Sequence, residues 1–249
     1  MALGIKLARV AIIITIFALW EALSRSGIVN PRLLPAASDT LAMLGQLLQR
    51  ASVRNDLAVT ASEVLTAFAL AVPFGALVGF LIAENRYFAE VVKPLLFFAF
   101  SIPKSIFLPM FILVFGVGFA QKVGFGFFST IFIVIMSTTT AVEQVKVEYL
   151  TVARSYGATS AQTALRVYLP SMLPVLLEAL RISMIFNLTG VILAEMYASR
   201  DGIGHQIASW GENFQMKQLL AGVVMIATIA IAFNEAVRWV ETRCSHWRT

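Results

Sequence analysis

Residues that could perform chemistry are few in this chain, and their spacing matches no common catalytic site. The only histidines among its 249 residues are His205 and His246, and the single cysteine is Cys244. Neither H-E-x-x-H, which would hold a catalytic zinc ion, nor G-x-S-x-G, which would present a nucleophilic serine, occurs. A G-x-x-x-x-G-K-[ST] loop for nucleotide phosphates is also missing. We therefore expect no enzyme, no metal site and no cofactor bound by this chain.

The polar residues of interest lie instead within apolar runs, where they could line a path for a solute. Six such residues are candidates: Ser101, Lys104, Ser137, Thr138, Asn187 and Glu195. Lys104 lies between Pro103 and Pro109, and an unpaired lysine at membrane depth costs roughly 2.5–3.5 kcal/mol. It must therefore face a wet cavity, where it would favour anionic cargo, pair with an acid, or bind backbone carbonyls that the two prolines leave without donors.

The other candidates also have structural interpretations. Ser137 and Thr138 could donate hydrogen bonds to carbonyls of their own helix and line no path. Asn187 needs a partner or water at its expected depth, which makes it a candidate for the path lining. Glu195, near the expected outer end of a span, could meet a receptor or substrate, or could be an interfacial charge.

The elements that must position these residues are membrane-spanning helices. Hydrophobic residues make up 59% of the chain and charged residues only 13%, about half the charged fraction of a soluble domain. The mean hydropathy is +0.82. The chain is therefore expected to be an all-α integral membrane protein in contact with lipid, with residues 1–249 forming a single transmembrane domain. Its net charge of +5 is attributed to membrane orientation and not to nucleic-acid binding.

Six apolar runs approach the ~20 residues that a helix needs to span a bilayer. Their approximate bounds are 7–23, 58–83, 92–115, 123–142, 172–197 and 219–240. The first run could instead be a signal peptide, since basic residues precede it, but no small-residue cleavage site follows. More Lys and Arg residues fall on one side of the predicted membrane than on the other, which puts both termini in the cytoplasm.

The connection between the fourth and fifth predicted spans is polar, basic and rich in ordered signals. Gly157 suits the position after a helix end, where φ is positive. Thr159 followed by Gln162 matches the capping box that starts a new helix. Pro170 and Pro174 are expected to stop that helix before the fifth span. The connection is therefore predicted to be a helix, a glycine turn, a second helix and a proline break, placed in the cytoplasm.

This connection resembles the cytoplasmic signature of permease subunits of binding-protein-dependent ABC importers. That signature is EAA, three residues, Gly, nine residues and Ile-x-Leu-Pro. In this chain Ala153 matches the last Ala and Gly157 the Gly. Val167 stands for the Ile, and Leu169 with Pro170 completes the match at the family's spacing.

Two residues of the signature differ, because Thr151 replaces the Glu and Val152 replaces the first Ala. The resemblance also extends along nearly the whole chain after the first helix. Further similar stretches are Leu34-Pro35, Ser101-Ile102-Pro103-Lys104, Leu108-Pro109, Ala194-Glu195-Met196 and Asp201-Gly202-Ile203-Gly204. Together they are most similar to the branch that imports nitrate, taurine, aliphatic sulfonates and thiamine-precursor pyrimidines.

The resemblance implies a type I, MetI-like fold and several cooperating chains in a bacterial inner membrane. Two permease chains would pair to form the translocation path, either as a homodimer, which this branch favours, or with a similar second chain. A soluble solute-binding protein would deliver the solute from outside. Two cytoplasmic ATP-binding subunits would hold ATP and Mg²⁺ and would each receive a coupling loop at about residues 143–171. The coupling residues in this chain would be Glu148, Thr151, Ala153, Arg154, Gly157, Ala158, Gln162, Leu169 and Pro170.

The alternative function is a secondary transporter or a channel without an ATPase. Such proteins often carry acids or broken helices at the membrane midplane. Charge within the predicted spans is sparse here, and the ordered polar connection would have no role. An ATP-driven permease is therefore the main interpretation, and the sequence leaves the transported solute open.

Overall fold

The computed structural model describes the backbone of residues 2–244 and the side chains of residues 7, 8 and 11–239. The described residues form helices joined by short turns, with no strand among them, as the composition predicts. The α-helices are α1 (Ala2–Arg25), α2 (Ala37–Gln49), α3 (Ala51–Glu84), α4 (Arg86–Ser101), α5 (Leu108–Phe115), α6 (Phe119–Glu143), α7 (Val147–Ser155), α8 (Ser160–Thr163), α9 (Leu169–Tyr197), α10 (Ile203–Glu212) and α11 (Met216–Cys244). The tail that the sequence assigns to the cytoplasm continues past residue 244, outside this range.

Helix α6 is the centre of the bundle. It packs against both α3 and α9. In α6, 67% of the most apolar stretch of 18 residues is buried inside the bundle, whereas in α11 only 17% of the corresponding stretch is buried. Glycines allow the close approach of α3, because a Cβ atom at Gly79 would lie 2.6 Å from the carbonyl oxygen of Ile135. Exposed side chains of α3, such as Leu70 and Leu77, are apolar, which suits a surface that faces lipid.

The two ends of the bundle differ in what they carry. One end, called the loop end, carries residues 144–168 between α6 and α9. The other, called the turn end, carries residues 198–202 between α9 and α10. At the turn end α2, α10 and the first half of α11 pack together around Leu47, Ile203 and Trp210.

Among the described residues, four helices are long and apolar enough to cross a membrane. They are Ala51–Glu84, Phe119–Glu143, Ser160–Tyr197 and Met216–Trp239. A fifth crossing would be formed by α4 together with the helical turns that follow it, which are bent by 80° relative to α4. The first predicted span lies in α1, whose side chains are described only in part, so the count of six spans stays a prediction.

The predicted third span, over residues 92–115, is not one straight helix. Helix α4 ends at Ser101, and Ile102 adopts an extended conformation (φ −69°, ψ 129°). A residue that precedes proline avoids the helical conformation, and Pro103 also lacks the N–H that a continuing helix would need. Pro109 lies in the first turn of α5, where a missing N–H breaks no helical hydrogen bond.

The proline break predicted at Pro170 and Pro174 is wrong. A π-helix (Ala164–Tyr168) joins α8 to α9, so that residues Ser160–Tyr197 form one run of 38 residues. Within it, the N–H of Leu169 donates to the carbonyl of Ala164, five residues earlier. The hydrogen-bond register therefore changes just before Pro170, where a donor is missing anyway. Pro174 is tolerated inside the helix, as prolines in membrane helices often are.

Candidate functional site

The polar connection at the loop end begins with α7 and ends that helix in a defined turn. Gly157 has φ of +69°, a conformation that glycine adopts without a Cβ clash. Its N–H donates to the carbonyl of Arg154 (2.9 Å), and the N–H of Ala158 donates to that of Ala153 (3.0 Å). This pair of bonds is a Schellman motif, which satisfies the last carbonyls of α7.

A capping box begins the next helix, as the sequence predicts. The N–H of Gln162 donates to the Thr159 hydroxyl oxygen (3.3 Å), and the Gln162 side-chain oxygen accepts from the N–H of Thr159 (2.9 Å). Two otherwise unpaired N–H groups are thereby satisfied. The turn between α7 and α8 is thus fixed by backbone and local side-chain bonds at both ends.

One face of this connection packs on the bundle. Leu150, Val167 and Tyr168 contact a buried cluster at the loop ends of α6 and α9 that includes Val142. The Tyr168 ring meets the Phe80 ring of α3 edge-on, with centroids 5.5 Å apart. The connection is therefore anchored to three of the membrane helices.

The opposite face of the connection is exposed and mixes charged with apolar side chains. Glu148, Thr151 and Arg154 are exposed on α7, and Tyr156 at its end is 88% exposed. The Thr151 hydroxyl only bonds back to the carbonyl of Val147 (3.0 Å). Of the remaining predicted coupling residues, Gly157, Gln162 and Leu169 are exposed, whereas Ala153, Ala158 and Pro170 are half-buried. A surface so ordered and so accessible is suited to docking another protein.

Lys104, a predicted path residue, occupies the bend between α4 and α5. Its ammonium group donates to the carbonyl of Phe100 (3.0 Å) and lies 4.1 Å from the centroid of the Phe100 ring. The carbonyl of Phe100 belongs to the last turn of α4, where helical donors run out. Ser101 is exposed and bonds back to the carbonyl of Phe97 (2.8 Å). These contacts fit the structural interpretation of Lys104, in which the lysine satisfies a freed carbonyl.

The other path candidates in the middle of the bundle lie between helices of this one chain. Asn187 is fully buried and donates from its amide to the carbonyl of Val64 in α3 (2.7 Å). Thr138 is 1% exposed and faces the α3 glycine at position 79, where a Cβ atom would lie 2.8 Å from its own Cβ. Ser137 is half-buried. Burial of this kind excludes direct contact of Asn187 or Thr138 with a solute in this conformation.

Glu195, the last candidate, is part of a buried arrangement at the turn end. The N–H groups of residues 202–204 donate, in that order, to Asp56 Oδ1 (3.1 Å), Thr60 Oγ1 (2.9 Å) and Glu195 Oε2 (2.7 Å). The Thr60 hydroxyl in turn donates to Glu195 Oε1 (2.6 Å). All three side chains are buried, and Asp56, Thr60 and Glu195 are here called the turn clamp. The Glu195 side chain is therefore enclosed within this chain and has no exposed surface in this conformation.

Glycines are required where the turn approaches Glu195. Gly202 has φ of +102°, and a Cβ atom there would lie 2.0 Å from Glu195 Oε1. A Cβ atom at Gly204 would lie 2.7 Å from the carbonyl oxygen of Ile192. The absence of side chains at these two positions lets the N–H groups reach the carboxylate.

A buried ion pair next to the turn clamp escaped the sequence analysis. Lys122 Nζ lies 2.5 Å from Glu63 Oε1, with side chains 4% and 1% exposed. Lys122 also donates to the Ser199 hydroxyl (3.1 Å), which donates to the carbonyl of Asp201 (2.6 Å). From the sequence, Lys122 is assigned to an outer loop. The only sequence feature that indicates its burial is its position next to an apolar run.

A cavity of about 190 Å³ lies beside the turn clamp, between α3, α9 and α11. Thr60, Ile203, Leu188 and Phe233 are among its lining residues, and the lining is almost wholly apolar. A lining of this kind favours apolar groups. Among the described residues, no group of three or more His, Cys, Asp and Glu side chains is placed to hold a metal ion.

Comparison with known proteins identifies related chains over most of the sequence. A family model described as "Binding-protein-dependent transport system inner membrane component" matches residues 71–246. The taurine transport system permease protein TauC of Escherichia coli is 26% identical, over 98% of this chain and 89% of its own length. The formylaminopyrimidine transport permease protein ThiX of Halalkalibacterium halodurans is 26% identical, over 92% of this chain and 91% of its own length.

The fold also has a counterpart among solved structures. A chain of the inward-facing MetNI methionine ABC transporter superposes with a TM-score of 0.65 at 20% identity, covering 80% of this chain and 96% of its own length. At that identity the likeness concerns the fold, and it confirms the prediction of a MetI-like helical architecture.

Proposed function

Because the chain belongs to the family of binding-protein-dependent transport system inner membrane components, whose members are permease subunits of ABC importers, we propose that its polar connection couples transport to a separate ATP-binding subunit. The proposed coupling loop comprises residues 143–171. It holds the nine coupling residues named above, of which Glu148, Thr151 and Arg154 lie on the exposed face.

A single observation carries this proposal, namely a loop that is rigidly built yet exposed. The Schellman motif and the capping box fix the turn between α7 and α8, and Tyr168 ties the loop to α3. Its free face carries Val152 and Tyr156 at 55% and 88% exposure. Exposed apolar and aromatic side chains on an ordered surface are the usual anchors of protein interfaces.

The proposed orientation follows from the loop. The ATP-binding subunits are cytoplasmic, so the loop end faces the cytoplasm and the turn end faces outwards. Both termini are proposed to be cytoplasmic, in agreement with the excess of basic residues on that side. A solute-binding protein would then dock at the turn end, where α2 and α10 lie.

The translocation path is proposed to run between two copies of the chain. The interior of one copy is closed around Asn187 and Glu195, which are fully buried. Of the six path candidates, Ser101 is exposed and Lys104 and Ser137 are half-buried, so these three remain candidates for a shared path. ATP and Mg²⁺ would be held by the ATP-binding partner, since this sequence lacks a phosphate-binding loop.

Purification of the chain with its natural partners tests this proposal. We expect an ATP-binding protein to co-purify with the tagged chain in mild detergent and to hydrolyse ATP in the reconstituted complex. Replacing residues 147–163 by a flexible Gly-Ser linker should abolish co-purification, whereas Gln46→Ala on the exposed face of α2 should not. Solute uptake driven by an ion gradient, with no ATP-binding protein bound, would instead establish a secondary transporter.

A further inference from the structure

The turn clamp joins three helices that are distant in sequence. Asp56 and Thr60 belong to α3, Glu195 belongs to α9, and the N–H groups of residues 202–204 lead into α10. A second bond from Asp56, through its Oδ2 atom, accepts from the Gln206 side chain (2.8 Å) and reaches the next turn of α10. The position and direction of α10 are therefore set by side chains of α3 and α9.

Helix α9 also connects the turn clamp to the coupling loop. The run Ser160–Tyr197 has no break over its 38 residues, which corresponds to roughly 57 Å at the helical rise. Glu195 lies two residues before its end, and Gln162 of the capping box lies two residues after its start. Helical backbone, including the π-helix at residues 164–168, therefore connects one end of this run to the other.

The clamp is a specific joint and not a general apolar contact. The bonds of the Glu195 carboxyl group are buried and short, at 2.6 Å to the Thr60 hydroxyl and 2.7 Å to the N–H of Gly204, and hydrogen bonds of this length are directional. Beside the clamp, α3 and α9 line the apolar cavity of about 190 Å³, and they also pack together at Val64, Met184 and Val191. Among these contacts, the clamp is the one that ties both helices to the start of α10.

We propose that Glu195 is a positioning residue that passes movement of α9, driven at the coupling loop, to α10 at the turn end. This inference rests on the proposed function. The movement enters at the loop end when the ATP-binding subunits close, travels along α9, and reaches the start of α10 through the carboxylate of Glu195 and the hydroxyl of Thr60.

Three variants separate the hydrogen bonds from the shape of the clamp. Thr60→Val keeps the size of the side chain and removes the hydroxyl, whereas Thr60→Ser keeps the hydroxyl and serves as the matched control. Glu195→Gln keeps the size and leaves one of the two acceptor oxygens. The valine variant keeps the test informative if the glutamine variant fails to fold.

Two distances report the movement in the complex of the permease with its co-purifying ATP-binding subunits. With Cys244→Ser as background, spin labels at Gln144→Cys and Glu178→Cys measure α9 against α6 in the loop half. Labels at Ala120→Cys and Glu212→Cys measure α10 against α6 at the turn end. All four positions are exposed. Distances are measured by pulsed electron resonance without nucleotide and with ATP plus vanadate, in complexes diluted with unlabelled chain.

We expect both distances to change with ATP plus vanadate in the parent protein and in Thr60→Ser. In Thr60→Val and Glu195→Gln the loop-half distance should still change, while the turn-end distance should stay within its nucleotide-free distribution. A purely structural role would leave the nucleotide response at both ends intact. A turn-end response that persists in both variants overturns the proposal. If the parent protein shows no change at the loop half, the coupling function itself fails, and the inference fails with it.

Discussion

The coupling loop and the turn clamp achieve order by opposite means. The loop is held by short-range backbone bonds around Gly157 and by a capping box, and it leaves its side chains exposed. The clamp is held by buried side chains from α3 and α9, which bind backbone N–H groups of the turn. The loop is thus an ordered, exposed surface, as the proposed docking of a partner requires, whereas the turn clamp is a joint buried inside the chain.

The largest effect is expected from adding a side chain at Gly202. If the protein tolerates one there, the turn clamp is not a tightly packed buried joint, and its contrast with the coupling loop is lost. Gly202→Ala would place Cβ 2.0 Å from Glu195 Oε1 in a backbone with φ of +102°. The backbone strain alone is on the order of 1–3 kcal/mol, and the clash displaces Glu195 from its donors. We expect little folded protein by size-exclusion chromatography in detergent. Gly45→Ala, where no atom lies within 4 Å of the new Cβ, should express normally.

The next largest effect should come from the buried ion pair. Lys122→Met removes one partner and leaves Glu63 buried without its counter-charge, which costs about 3–5 kcal/mol. The double variant Lys122→Met with Glu63→Gln should recover much of the melting temperature that the single variant loses. Equal melting temperatures for the single and double variants would show that the two side chains are not coupled.

An exposed ion pair at the same end provides the control. Lys217 binds Asp39 at 2.8 Å, with side chains 49% and 48% exposed. Lys217→Met should therefore change stability by only about 0.2–1 kcal/mol. If Lys217→Met lowered the free energy of unfolding as much as Lys122→Met does, the buried ion pair would be no more important for stability than the exposed one, contrary to our account.

At the loop end, Gly157→Val should impair coupling more than folding. A β-branched residue at φ of +69° carries strain on the order of 1–3 kcal/mol, and the strain is relieved by distorting the turn between α7 and α8. We expect normal membrane insertion with loss of ATP-binding partner and of ATP hydrolysis in the purified complex. Full ATPase activity and normal partner content in this variant would show that the glycine turn has no part in coupling.

Lys104→Met should have a modest structural effect. The variant loses the bond to the Phe100 carbonyl and the contact with its ring, so that a carbonyl at the end of α4 goes without a partner. We expect a loss of about 1–3 kcal/mol in stability, seen as a lower melting temperature, with uptake per folded molecule maintained. Loss of uptake at unchanged melting temperature would instead support a role for Lys104 in the translocation path.

The smallest effects are expected for single side chains on the exposed face of α7. If Glu148 has taken over the anchoring role of the acid that Thr151 replaces, Glu148→Ala should weaken partner binding more than Thr151→Ala. The Thr151 hydroxyl bonds only within its own helix, so its removal should be nearly silent. Equal co-purification of the ATP-binding subunit with both variants would refute the hypothesis that Glu148 has taken over this anchoring role.

Interactions between residues close together in the sequence could be predicted, whereas interactions between distant residues could not. The glycine turn and the capping box depend on residues three to five positions apart, so local patterns such as Thr159 with Gln162 suffice. The turn clamp joins Thr60 to Glu195 across 135 positions, and no local pattern encodes that distance. Glu195 was recognisable as a candidate, but its partners Asp56 and Thr60 were not.

Prolines were the other source of error. Pro103 interrupts the predicted third span by ending α4, whereas Pro170 and Pro174 lie inside a helix that was expected to stop. The outcome depends on whether the register of neighbouring hydrogen bonds can shift, as it does in the π-helix before Pro170. Whether the register shifts depends on how the neighbouring helices pack, and a single sequence does not specify that packing.

Site-specific cross-linking tests the central claim, that the loop end docks an ATP-binding subunit, most directly. A photoreactive amino acid is placed at Val152 on the exposed face of α7, and in a second protein at Gln46 on the exposed face of α2 at the turn end. After irradiation of intact cells, mass spectrometry identifies the partners. The account predicts an ATP-binding protein attached at position 152 and none at position 46. Attachment of that protein at position 46 alone, or at neither position, would contradict it.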